Sequence, residues 1–167
     1  MLNHLSIDVQ KDLLIKGWMS HDARWYMAVA GHFGIEHANR LNQKVARDLG
    51  RVEMKRFMKA LDLSPSRNME EYLNLKKAAL SMFGRDLVDY EIKTLDHQSY
   101  EIHLRRCFAH ENIVRAGIND EYECGILSRF QGWIDAQEIE HDLTPALGKC
   151  TKVLEKECRY KITLKFR

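Results

Sequence analysis

Apolar positions along the first half of the chain recur every three to four residues, which is the spacing of a helix face laid against a core. Asp8 is placed to cap a first helix running to Ser20, and Ser20-His21-Asp22 to open a second in which Trp25, Val29 and Phe33 recur until Gly34. From Ile35, the positions Ala38, Leu41, Val45 and Leu49 continue the stripe. Met54, Phe57, Met58 and Leu61 extend it to the break at Ser64-Pro65-Ser66. A further helix is expected over residues 69–83, before Gly84. The period then drops to two. Val88, Tyr90, Ile92 and Thr94 share one face, as do Tyr100, Ile102 and Leu104 beyond the turn at Asp96-His97-Gln98, which predicts an antiparallel hairpin. Helical spacing returns from His110 to Gly117 and again over residues 124–137, with Ile126, Phe130, Trp133 and Ile134 on one face. Residues 139–147 give a weak strand signal. At the C-terminus Cys158, Tyr160, Ile162, Leu164 and Phe166 alternate with Arg159, Lys161, Thr163 and Lys165, as a strand with one buried face requires.

This order predicts an α+β fold, with a helical portion over residues 1–85 and a mixed portion over 86–167, together one compact domain. A length of 167 residues suits that size. Charge adds little: 26 Lys and Arg against 24 Asp and Glu leave a formal +2, with both signs interspersed. Neither nucleic acid nor a membrane is therefore an expected partner. The apolar run from Trp25 to Gly31 is far shorter than the roughly 20 residues of a membrane span, and no secretory signal is visible. A cytoplasmic, reducing location is the expectation, in which cysteines serve as thiols or metal ligands.

All four cysteines, Cys107, Cys124, Cys150 and Cys158, lie in the mixed portion. Cys150 and Cys158 flank a turn, so their sulfurs can converge on one metal ion, and the other two could complete a tetrahedral zinc site. The competing reading is that each packs as a small hydrophobe, the commonest fate of a free cysteine. In the helical portion His21 and Trp25 share one helix face and could line a pocket. Trp133 is a candidate wall on the other side, offering an apolar face and an indole donor. Equally, these aromatics could be core. No phosphate-binding glycine loop, nucleophile elbow or His-Glu-x-x-His helix is present.

The stretch from Cys124 through Gly132-Trp133 to Cys150 and Cys158-Arg159-Tyr160 resembles the 4-vinyl reductase domain, a small-molecule-binding module. That pattern is a cysteine, a glycine-containing helix, a strand ending Glu-x-x-Cys, and then Cys-Arg. The resemblance implies that Cys124, Cys150 and Cys158 hold zinc. The glutamate position falls on Leu147, which cannot ligate, so Cys107 is the substitute, with His110 and His141 as alternatives. Residues 86–166 are also similar to the L-2-amino-thiazoline-4-carboxylic acid hydrolases, through Cys107 and Cys124. The two resemblances together suggest an uncharacterised bacterial relative of these groups, with N-terminal helices packed on a small twisted antiparallel sheet.

The expected function is a small-molecule-binding or sensory module with a structural zinc, taking an aromatic or heterocyclic ligand, with homodimerisation left open. The alternative is a hydrolase of a small cyclic amide or thiazoline-like carboxylate. Cys107 or Cys124 would then be the nucleophile and His103 or His110 the base. A third reading, a scaffold in a larger assembly, expects an exposed apolar patch instead.

Overall fold

The computed structural model describes residues 5–84 and 86–166. Its elements are α1 (Ile7–Phe33), α2 (Ile35–Ala60), α3 (Met69–Ser81), β1 (Val88–Thr94), β2 (Ser99–Cys107), α4 (Phe108–Ala116), α5 (Gly125–Asp135), β3 (Glu140–Thr144), α6 (Thr151–Leu154) and β4 (Arg159–Lys165). The fold is α+β, with helices preceding an antiparallel sheet of order β1-β2-β4-β3. The chain divides into two compact units, Met1–Asn42 and Gln43–Arg167. That boundary falls inside α2, some distance before the change of sequence character near residue 85.

In the first unit, α1 is one helix where the sequence suggested two. Ser6, not Asp8, is its cap, accepting a hydrogen bond from the Val9 amide at 3.3 Å. Ser20 and Asp22 are tolerated mid-helix because no proline accompanies them, and Arg24 reaches back to the Ser20 carbonyl at 3.0 Å. The helix stops at Gly34, whose φ of +86° suits a residue without a Cβ. Past this turn, the Tyr26 hydroxyl donates to Asn39 Oδ1 at 2.7 Å.

In the second unit, alternation decides which strand faces meet the core. Tyr100, Ile102 and Leu104 of β2 and Tyr160, Ile162 and Leu164 of β4 are almost fully buried, and Ile102 stands opposite Tyr160 in the register. Met54 and Met58 of α2, Tyr72 and Leu80 of α3, and Phe130, Trp133 and Ile134 of α5 join the same core. Two glycines set the approach of α2 to α5. A Cβ on Gly50 would collide with the Arg129 carbonyl, and one on Gly132 with the Arg47 carbonyl. The glycine within the α5 motif therefore serves close helix packing. Beside this contact Arg129 and the Trp133 indole both donate to Glu53, the indole at 3.1 Å.

Candidate functional site

Four chain segments deliver the four cysteines to one place. Cys107 ends β2 and is the residue immediately before α4; Cys124 stands in the same position before α5, and Cys150 before α6. Cys158 precedes β4. Backbone hydrogen bonds fix these positions. The Cys124 amide donates to the Gly148 carbonyl at 2.8 Å, Glu123 bridges to Lys149, and the Leu104 amide donates to the Cys158 carbonyl at 2.8 Å. All four cysteines are 6–8% exposed, none is in a disulfide, and all line a single cavity with His110, Tyr122 and Thr151. The cavity measures about 10 Å³, at the lower limit for one water.

The surroundings of the sulfurs pull in two directions. Burial pushes the Cys124 thiol far up, raises Cys107, and lifts Cys158 to about 11 despite the nearby Lys152 charge, so each is a neutral thiol at pH 7 until a metal ion binds. Opposing this, the Leu127 amide donates to Cys124 Sγ at 3.5 Å, and the His110 and Ala109 amides favour the Cys107 thiolate. These are donors from the first turns of α5 and α4, where helix amides otherwise lack partners. Cys150 Sγ lies 3.7 Å from His110 Nδ1. Burial, and the neighbouring Lys152 charge, lower the His110 pKa, which keeps the ring neutral and able to act as a donor atom to metal. Thr151 partly offsets the burial of Cys158 and Tyr160, yet Thr151 Oγ1 and Tyr160 Oη have no formed hydrogen bond in this buried corner. Among the described residues, no three His, Cys, Asp or Glu side chains stand in metal-ligating geometry.

The other sequence candidates fall elsewhere. Leu147 packs against the core. His141 lines a separate open basin of about 470 Å³ with Arg47, Asp135 and Lys165. There Asp135 receives two hydrogen bonds from Arg47, at 2.7 and 2.9 Å, and an ion pair from Arg51. His103 sits on β2 opposite Arg159, outside the cysteine cavity. His21 and Trp25 are exposed on α1 in the first unit, whereas Trp133 is 2% exposed inside the second.

Trp133 belongs to a feature that sequence reasoning missed. Lys76, 1% exposed, places its ammonium 4.4 Å from the Phe130 ring centre and 5.5–5.8 Å from those of Tyr72, Tyr100 and Trp133. Desolvation lowers its pKa to about 7. Its signal was available. Tyr72, Lys76 and Leu80 are spaced four apart, so the lysine lies on the apolar face of α3.

The model of a family of unknown function, DUF6125, matches residues 3–160, so the chain belongs to that family. No curated protein matches. Among solved structures, a trafficking protein particle complex subunit 3 from Naegleria fowleri, covalently bound to palmitic acid, is similar with a TM-score of 0.57. The two are 15% identical, over 96% of this chain and 99% of that one, and at this identity the likeness concerns the fold.

Proposed function

We propose that this member of the DUF6125 family is a non-catalytic binding module, in which Cys107, Cys124, Cys150 and Cys158 hold one structural zinc ion. The observation behind this reading is the convergence on one cavity of four cysteines, the first and last of them 51 positions apart in sequence. Four sulfurs are the soft donor set that zinc prefers, and the amides aimed at Cys107 and Cys124 stabilise deprotonated sulfur. Ligation requires the sulfurs to close further on the cavity than they do as neutral thiols. Bound there, zinc would cross-link the starts of α4, α5, α6 and β4. With four cysteine ligands no coordination position is left for water, which makes the role structural.

For the small ligand, the basin at Arg47, His141 and Lys165 has a volume in the range of known ligand sites; Arg47 and Lys165 are paired there with Asp135 and Asp142, and Glu138 and Glu140 complete a mainly acidic lining that suits an aromatic or heterocyclic compound bearing donor or cationic nitrogens. The cysteine cavity is far too small for such a ligand or for a fatty acyl chain like that on the trafficking subunit. Hydrolysis finds less support. The Cys107 and Cys124 thiols are held neutral by burial, and His110 faces Cys150 rather than either.

Elemental analysis of protein expressed with added zinc tests the proposal. One zinc per chain, with four thiols that titrate only after chelation, is the expected result. Protein without zinc and with four freely titrating thiols after unfolding-free exposure to reagent would leave the cysteines as packing groups.

A further inference from the structure

Strand β3 is an edge of the sheet, paired with β4 on one side and, among the described residues, with no strand on the other. Two hydrogen bonds at the ends of β4 fix which of its groups face outward. The Leu164 amide donates to the Gln98 carbonyl at 2.7 Å and the Leu104 amide to the Cys158 carbonyl at 2.8 Å, so the even-numbered residues of β4 turn their backbone towards β2 and the odd-numbered ones towards β3. In the register those odd-numbered residues, Lys165, Thr163 and Lys161, stand opposite Glu140, Asp142 and Thr144. The amides and carbonyls of His141 and Leu143 therefore point away from the sheet. The open basin of about 470 Å³ lies along this edge, lined by Ile139, Glu140, His141 and Asp142 of the strand and its approach. Glu140 and Asp142 are on the exposed face of β3, and His141 alternates with them on the other. The His141 side chain is 7% exposed, its Nδ1 lies 3.4 Å from the Ile139 carbonyl, and among the described residues its Nε2 has no partner.

We propose that β3 takes up an extended basic peptide of a partner protein as a fifth strand of the sheet, with Lys or Arg at alternate positions opposite Glu140 and Asp142. The proposal rests on the reading of the basin as a ligand site and identifies the cationic nitrogens there as peptide side chains. Backbone pairing supplies the affinity, because the N–H and C=O groups of His141 and Leu143 already stand at strand spacing. Charge supplies the choice. Towards an added strand, Glu140 and Asp142 occupy the positions without hydrogen bonds, where facing side chains come closest, so a cation opposite each is favoured and an anion is repelled. Strand β4 already shows this chemistry on the other side of β3: Lys161, Thr163 and Lys165 share the face of Glu140 and Asp142, and Lys165 reaches Asp142 at 3.6 Å. The same rule disfavours a second copy of the chain, since antiparallel pairing of β3 with β3 about His141 would set Glu140 against Asp142. The opposite edge is less suited. The register of β1 shifts between Asp89 and Tyr90, an irregularity that blunts an edge, whereas β3 keeps its register throughout.

Fluorescence anisotropy of a labelled seven-residue peptide, alternating Thr and Lys with Thr at both ends, tests the proposal on the full chain. Saturable binding is expected. N-methylation of the threonine amides keeps every charge but removes the donors that face His141 and Leu143, and should weaken binding by about tenfold or more. The double variant Glu140→Gln, Asp142→Asn should weaken it by about as much. Both carboxylates are exposed, so circular dichroism and thermal melts should report unchanged folding. In parallel, amide hydrogen exchange read by NMR should slow at His141 and Leu143 when peptide binds and stay as it is at Glu140 and Asp142, whose amides face β4. Equal affinity for the N-methylated peptide would reduce the effect to charge attraction and overturn the proposal, as would exchange unaltered at both outward amides. Benzamidine, an aromatic compound with cationic nitrogens, separates this idea from the reading beneath it. Shifts of the His141 resonances by benzamidine without peptide binding would keep a small-ligand basin and overturn the added strand, and no response to either overturns both. If the double variant fails to fold, the N-methylated peptide and the exchange pattern of wild type decide the matter.

Discussion

The two ends of α5 bury chemically strong groups by different means. At its N-terminal end lies the cysteine cavity; towards its C-terminal end Trp133 and Phe130 press on Lys76. The cysteines can be buried cheaply, because a neutral thiol is a small apolar group, and they gain amide donors from helix starts should they ionise. Lys76 has no such escape: its surroundings are ring faces and one Tyr72 hydroxyl at 3.5 Å, and among the described residues no carboxylate pairs with it. Cation–π attraction offsets part of the desolvation, but not enough to hold the pKa near its ordinary value. Burial alone therefore does not mark a group as functional. What distinguishes the cysteine end is that several donors of one chemical kind converge there from separate segments.

The largest expected effect breaks the cysteine end. With zinc bound, Cys124→Ser removes a ligand and also the sulfur that accepts the Leu127 amide. A loss of roughly 3–5 kcal/mol, or about 10 °C in melting temperature, should follow, with zinc content falling below one per chain. Differential scanning calorimetry with metal analysis reads both. A variant that melts with wild type and retains its metal content would remove Cys124 from the ligand set.

The lysine end should respond in the opposite direction. Lys76→Met replaces a buried cation by a side chain of similar length and should stabilise the protein by roughly 1–4 kcal/mol at neutral pH, below the ~5 kcal/mol ceiling set by the lowered pKa. The sign with pH follows from linkage. Between the folded value of about 7 and the unfolded value of 10.5, the unfolded chain binds more protons, so wild type gains stability from this group as pH rises through that window. The advantage of the methionine variant is accordingly full at pH 7 and below and fades towards pH 10.5. Urea melts at several pH values measure it; a difference independent of pH would show that Lys76 titrates normally in the folded protein.

Much of this arrangement was legible in the sequence, unevenly. Period-two alternation at Tyr100, Ile102 and Leu104 and at Tyr160, Ile162 and Leu164 located β2 and β4 because their two faces meet such different surroundings. The false break in α1 came from reading Ser20 and Asp22 as caps, when capping depends on backbone geometry that composition does not display. The cysteines could be grouped from sequence, but their place before three helices could not, since it depends on the pairing of Glu123 with Lys149 and on how β2 hands over to α4. Lys76 was passed over because charged residues are rarely core, even though its spacing from Tyr72 and Leu80 put it on the buried face. Gly50 and Gly132 gave no distinctive local signal, as the helix contact they permit joins positions more than eighty residues apart.

The smallest effect is the most discriminating, because its sign depends on what the cysteines hold. Thr151 Oγ1 is buried beside Cys158 and Tyr160 without a formed hydrogen bond. Around neutral thiols an orphaned hydroxyl is a liability, and Thr151→Val, which keeps the shape, should leave stability unchanged or raise it by up to about 1 kcal/mol. Around zinc-bound sulfur the same hydroxyl gains an anionic acceptor at Cys158, and its removal should cost about 1–2 kcal/mol and loosen the metal. Melting wild type and variant with and without chelator separates the two. A variant destabilised only while zinc is present would show that the hydroxyl supports a metal-bound thiolate, whereas identical small gains in both conditions would leave the cysteine end as packed thiols, differing from the lysine end only in how little their burial costs.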